Sequence, residues 1–270
     1  VEELIQKFGT SSRLKFGIAA HSLRAVSPKT FGVTLDGFKK LLPAAPIHIH
    51  IAEQIKEVED CLSWCGKRPV EFLYDQFDVD ERWCLIHATH LNDEEVGGIA
   101  SSGAVAGICP TTESNLGDGV FPGIAFLEAG GRFGVGTDSH ISVSLADDLR
   151  TFEYSQRLKH LGRNLLASKV QPSTGMNLLS HALEGGHAAT GFNTSIAPES
   201  RADFVVLDAN HPSLIGRSGD TVADSFIFAN AGNPIRDVYV GGTRVVENNR
   251  HVNEGRILKD FGKAISELSA

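Results

Sequence analysis

The segment Pro46-Ile47-His48-Ile49-His50-Ile51-Ala52-Glu53-Gln54 decides how the rest of the chain is read. Apolar and polar residues alternate through it with period two, which marks a strand with one buried face. Successive strand side chains point to opposite faces, so His48 and His50 share a face. Glu53 follows where the strand gives way to a helix, a position at which α/β barrels carry their chemistry. Spacing alone does not rank His48 against His50 as a functional group.

Working outward, the same unit recurs. Residues 14–20 read as a buried strand running into His21-Ser22-Leu23-Arg24, followed by a loop at Pro28 and a helix over 34–42 capped near Thr34. Beyond the opening strand, Ile55, Val58 and Leu62 recur at helical spacing, and Gly66 is placed to stop that helix. A helix restarts at 69–74. Residues 83–90 form a third strand, and Asn92 is the expected cap of a helix over 92–100. Residues 104–109 form a fourth strand, closed by Pro110 and a polar loop over 111–119, with a helix at 121–129. Residues 132–138 form a fifth strand ending on Asp138. Helices are expected at 146–158 and, with Pro172 in the first position, at 172–183. Five strand–helix units without a hairpin call for a parallel sheet with right-handed crossovers. Past Gly191 the style changes, and Gly241-Gly242 between two β-rich runs signals a hairpin. The expected division is an α/β part over 1–195 and a small β module with a C-terminal helix over 196–270.

The chain has 270 residues, 41% apolar and 21% charged, which is ordinary globular composition. A formal charge of -8 with dispersed lysines and arginines argues against nucleic acid as a partner. No apolar run reaches the roughly 18–20 residues that span a bilayer, and the N-terminus carries no export signal, so no membrane association and a cytoplasmic location are expected. The first residue is Val1, and the chain reads as a fragment. Cys61 and Cys65 fall one helical turn apart and Cys84 and Cys109 in apolar runs, a pattern of reduced structural thiols. Gly117-Asp118-Gly119 is too short for a phosphate loop, so no nucleotide cofactor is expected.

His21, His50, His87 and Asp138 stand at four strand ends, which in a parallel α/β barrel converge on one face. Neutral imidazoles and a carboxylate in that arrangement suit a divalent transition metal. Glu53 reads either as a first-turn residue stabilised by the helix dipole or as a general acid/base. Arg24 can clamp a carboxylate bidentately and, in an acidic protein, points to an anionic ligand. His90, His140, His160, His181, His187, His211 and His251 lie in loop or helix contexts and are read as structural or solvated.

Five stretches together resemble the amidohydrolase superfamily, and within it the deiminases that act on N-formimino-L-glutamate. They are His21-Ser22-Leu23-Arg24-Ala25-Val26, His48 to Gln54, Leu85 to His90, Cys109-Pro110-Thr111-Thr112-Glu113-Ser114-Asn115-Leu116-Gly117-Asp118-Gly119, and Gly136-Thr137-Asp138-Ser139-His140-Ile141-Ser142. The resemblance implies an α/β fold, a (β/α)8 TIM-type barrel of the metal-dependent hydrolase kind with strands 4–8 visible and strands 1–3 absent, plus a small C-terminal β module. It implies Zn2+ or another divalent transition metal held by His50 and Asp138, with Glu53, His87 and Asp138 as catalytic groups and His21 and Arg24 binding substrate. The implied reaction is hydrolysis of N-formimino-L-glutamate to N-formyl-L-glutamate and ammonia, a step of histidine degradation. A small anionic substrate and a homodimer go with it. The His-x-His strand that supplies further zinc ligands in the superfamily has no counterpart here, and His48-Ile49-His50 does not replace it. Two alternatives stay open at this point: a related deaminase or chlorohydrolase of a heterocycle, for which Arg24 has no use, and a non-catalytic fragment with an incomplete metal site.

Overall fold

A computed structural model of the chain describes all residues except 10, 12, 140, 194, 230, 231 and 270. His140 therefore lies outside the described residues. In chain order the elements are α1 (Glu2–Phe8), β1 (Ile18–Ser22), α2 (Pro28–Leu41), β2 (Ile47–Ile51), α3 (Ile55–Cys65), α4 (Pro69–Gln76), β3 (Trp83–His87), α5 (Asp93–Ser102), β4 (Val105–Ile108), α6 (Pro110–Leu116), α7 (Gly123–Glu128), β5 (Arg132–Val135), α8 (Leu145–His160), α9 (Thr174–Thr190), β6 (Phe204–Leu207), α10 (Thr221–Phe228), β7 (Ile235–Val240), β8 (Thr243–Glu247), β9 (Arg250–His251) and α11 (Glu254–Leu268).

Two compact units divide these elements: Val1–Phe192 with Ser218–Phe228, and Asn193–Arg217 with Ala229–Ala270. In the first, five strands form a parallel sheet in sequence order, β1-β2-β3-β4-β5. Strands paired in parallel through helical connections bring their C-terminal ends to one edge. The helix at α10 belongs to this unit, where Asp224 Oδ1 accepts the Gly175 N–H at 2.7 Å and the Ile227 carbonyl accepts Arg150 Nη1 at 2.9 Å. The second unit carries the antiparallel sheet β6-β7-β8-β9. Its β7–β8 turn is the glycine pair, Gly241 at φ 55° and Gly242 at φ 76°, a backbone that a tight hairpin demands and glycine adopts without steric cost.

The opening strand is buried as its alternation requires: Ile47, Ile49 and Ile51 are fully enclosed, while His48 and His50 stay half-buried. The isoleucines join Phe31, Leu35 and Phe38 of α2 and Trp83 of β3 in one core. Each such side chain contributes roughly 1.5–3 kcal/mol by leaving water. On the sheet's other face α9 runs close to β5. Gly185 permits this, because a Cβ there would run into the Phe133 carbonyl.

Several boundaries differ from the sequence expectation, for local reasons. α2 starts at Pro28, not near Thr34, because Ser27 Oγ accepts the Thr30 N–H at 3.2 Å and proline fits a first position whose N–H has no helical partner. The stretch 111–119 is not a loop: α6 covers Pro110–Leu116 and ends on Gly117 at φ 73°. α9 begins at Thr174 behind the cap Ser173, so Pro172 precedes the helix. β1 begins at Ile18 and β5 ends at Val135, three residues before Asp138. Asn92 caps α5 and Gly66 ends α3 at φ 74°, as the sequence indicates. No described helix is long and apolar enough to cross a membrane.

Candidate active site

Register assembles the histidines. Ile51 lies opposite His87 and His50 opposite Ile86, while Ser22 lies opposite His50 with an irregularity after Ala20. That bulge inserts His21 unpaired, and bulges re-aim the extra side chain. The ring centroids of His21 and His50 are 5.2 Å apart, and those of His50 and His87 are 5.5 Å apart. Three strand ends thus present a row of imidazoles.

The partners of each ring fix its protons. His50 Nδ1 lies 2.7 Å from the His21 carbonyl, which only accepts, so Nδ1 carries the hydrogen and Nε2 keeps a lone pair. An outer carbonyl that holds a histidine in this tautomer is the usual support of a metal ligand. His48 Nε2 instead donates to the Ala189 carbonyl of α9 at 2.7 Å, which removes it from the row. His90 Nε2 donates to the Asp118 carbonyl at 2.7 Å, and Asp118 Oδ1 accepts Gln54 Nε2 at 2.9 Å.

His87 is enclosed, with Nδ1 3.2 Å from Glu113 Oε1 and Nε2 3.7 Å from Glu53 Oε1. Burial pulls its pKa down, but the Glu113 hydrogen bond and charge, with Glu53 and Asp138 behind them, outweigh it and raise the value above the ordinary one. Arg24 Nη2 reaches Glu53 Oε2 at 3.2 Å and Glu57 Oε2 at 3.7 Å, leaving its Nε and Nη1 outside both pairs. Buried Glu57 also accepts the Glu53 N–H at 2.9 Å, so it fixes the turn that presents Glu53. Asp138 is exposed and sits in a loop held by Thr112, whose Oγ1 donates to the Thr137 carbonyl at 3.1 Å and accepts the Ser139 N–H at 3.1 Å.

Backbone strain gathers at the same edge. Ala52, His87, Ala88 and Asp138 take φ values of 50°, 69°, 49° and 45°. Each costs about 1–3 kcal/mol and persists where the surroundings over-determine it. At Ala52, His87 and Ala88 the Ile51 and Ala52 carbonyls, which accept the Ala88 and His90 N–H groups at 3.0 Å, supply that constraint.

Two donor sets could hold a metal. His50 and Asp138 are donors of the types that suit a borderline divalent ion, an imidazole and a carboxylate. His87, Cys109 and Glu113 also bring their ligand atoms within 4.8 Å of one another. In that trio burial, with Glu113, Asp138 and Asp148 nearby, holds the Cys109 thiol far above its usual range, opposing thiolate formation. Separately, a cleft of about 840 Å³ opens beside Thr89, His90, Ser114, Tyr154 and Lys159.

Of the residues read from sequence, the structure brings together His21, Arg24, His50, Glu53, His87 and Asp138. It adds Glu57 and Glu113, which sequence reasoning assigned no role. The run from Cys109 to Gly119 was the only signal for Glu113.

The model of the amidohydrolase family matches residues 2–245. The chain belongs to the amidohydrolase family. This amidohydrolase chain is 47% identical over 253 residues to a formimidoylglutamate deiminase of Pseudomonas aeruginosa, covering 93% of the chain and 55% of that protein. It is 27% identical to a 5-methylthioadenosine/S-adenosylhomocysteine deaminase of Natronomonas pharaonis, over 95% of the chain and 58% of the relative. Among solved structures, an amidohydrolase from Brucella melitensis superposes with TM-score 0.90 at 47% identity, over 100% of this chain and 58% of that one. An adenosine deaminase from Xanthomonas campestris with bound zinc superposes at TM-score 0.86 and 22% identity, over 98% and 60%, a likeness of fold. The chain spans a little over half the length of the curated relatives it matches. Its parallel sheet is the barrel-type sheet of this family and its antiparallel sheet the accompanying β module.

Proposed function

We propose that the protein to which this chain contributes hydrolyses N-formimino-L-glutamate to N-formyl-L-glutamate and ammonia. Beside the 47% identity to a formimidoylglutamate deiminase, the observation that carries this is the guanidinium of Arg24 held 3.2 Å from Glu53. A fixed cation next to the reacting groups suits a substrate with carboxylates, and it has no partner on a neutral heterocycle.

In this proposal His50 Nε2 and Asp138 are two ligands of a divalent metal, zinc by the chemistry of the donors. The metal, when bound, supplies Lewis acidity that makes water a nucleophile near neutral pH. Asp138 takes the proton of the attacking water. His87 Nε2 stabilises the charge that develops as the formimino carbon becomes tetrahedral. Glu53 accepts the other proton of the water and delivers it to the formimino nitrogen, and the proton held by Asp138 follows, so that the nitrogen leaves as ammonia. Arg24, through Nε and Nη1, and His21 hold the glutamate carboxylates.

Turnover of N-formimino-L-glutamate, measured as ammonia release against a panel of heterocycles, tests the assignment with Arg24→Ala alongside. Loss of one charge-assisted bidentate contact, roughly 1.5–3 kcal/mol, raises KM by about 10- to 100-fold. An unchanged KM refutes the substrate assignment, and preferred turnover of a heterocycle replaces it.

A further inference from the structure

Glu113 has no step in the proposed reaction, yet it touches the side chain beside it. It lies in α6 with 4% of its surface exposed, and its Oε1 accepts the N–H of Cys109, the N-cap residue, at 2.8 Å. A carboxylate that reaches back to the start of its helix is a stabilising cap. Capping does not explain the second bond, because the same oxygen also faces His87 Nδ1 at 3.2 Å, across 26 positions of sequence and from a helix to the end of β3. An ionised carboxylate only accepts, so Nδ1 carries a hydrogen. The ring is thereby held from one nitrogen, and its other nitrogen faces Glu53 at 3.7 Å.

The backbone makes this hold matter. His87 sits at φ 69° and Ala88 at φ 49°, so the ring projects from a strained turn that a free side chain would leave room to relax. The nearby Cys109 thiol gives the trio three metal-type donors, but Glu113 Oε1 is already engaged by two N–H groups and the thiol is held protonated. Hydrogen bonding, not ligation, is the chemistry this geometry provides.

We propose that Glu113 is a positioning residue that holds His87 through Nδ1–H and fixes the orientation of its ring, so that Nε2 is presented beside Glu53. Its kinetic consequence rests on the deiminase proposal, whereas its structural consequence does not.

The test uses the full-length protein containing this chain, with Glu113→Gln and Glu113→Ala. Imidazole nitrogens are read by 15N NMR of histidine-labelled protein, with His87 assigned through His87→Gln, and metal content and kinetics are measured in parallel. Glutamine keeps one oxygen able to accept both N–H groups, so Glu113→Gln folds, keeps its metal and retains the Nδ1-protonated form, with kcat lowered by less than about tenfold. Glu113→Ala shows His87 with Nδ1 no longer uniformly protonated and a kcat lowered about 10- to 100-fold, with KM within twofold. A folded Glu113→Ala whose His87 spectrum is unchanged overturns the proposal, as does a loss confined to KM. If Glu113→Ala does not fold, a Glu113→Gln protein whose His87 leaves the Nδ1-protonated form overturns it equally. Should the unmodified protein fail to turn over N-formimino-L-glutamate, the substrate assignment falls, and the His87 spectrum alone decides the role of Glu113.

Discussion

Replacing Arg68 with methionine strips a buried carboxylate of its only charged partner among the described residues. Arg68 Nε lies 2.8 Å from Glu95 Oε2, its Nη2 donates to the His90 carbonyl at 2.6 Å, and the Glu95 side chain is 4% exposed. The same Oε2 accepts the Asn92 N–H at 3.0 Å, closing the cap of α5, while Oε1 is buried with no partner among the described residues. At an effective dielectric constant of about 20 the pair attracts by roughly 6 kcal/mol, most of which desolvation offsets. Truncating one partner removes the attraction and leaves the desolvation, so Arg68→Met costs about 3–5 kcal/mol. Glu95→Gln keeps the Asn92 cap and a neutral acceptor for Arg68, and its cost is about 1–2 kcal/mol. Urea denaturation of the wild type, both single variants and the double variant forms a cycle. The double variant is expected to be less destabilised than Arg68→Met alone, because the orphaned charge is gone. A cost below about 1 kcal/mol for Arg68→Met, or strict additivity, would refute the reasoning.

Two further outcomes follow from the histidines and the buried thiols. His50→Gln removes the Nε2 lone pair and lowers metal affinity at least about tenfold, whereas His48→Gln keeps a donor for the Ala189 carbonyl and leaves metal content unchanged; elemental analysis of the full-length variants decides between the two rings. Burial pushes the Cys84 thiol from 9.0 up to about 12. A raised folded-state value stabilises below pH 9.0 and is lost as pH rises toward 12, at about 1.4 kcal/mol per pH unit. The stability gap between wild type and Cys84→Ser therefore narrows by about 2 kcal/mol between pH 9 and 10.5; a constant gap contradicts the burial argument.

The sheet was legible because burial imposes a local period: Ile47, Ile49 and Ile51 alternate with the histidines, and one residue of slippage would expose all three. Helix ends were less legible. At Pro28 and Pro110 a proline that reads as a break is the first residue of a helix, since the same fixed φ suits both. His48 and His50 could not be ranked from their strand, because the difference lies in what each ring meets, a carbonyl of α9 for one and a neighbouring strand end for the other. Glu57 and Glu113 escaped notice for a related reason. Both sit in helices directly after strands, where an acidic residue is expected for the dipole alone, and their second partners are distant in sequence or belong to the strand end itself.

The Thr112 hydroxyl works as a mechanical linkage. It is fully enclosed and joins α6 to the Thr137 carbonyl, the Ser139 amide and, at 2.9 Å, the Ser139 hydroxyl. The segment bearing Asp138 and the helix bearing Glu113 are therefore tied through one side chain. Asp138 and the hold of Glu113 on His87 thus hang from one buried hydroxyl.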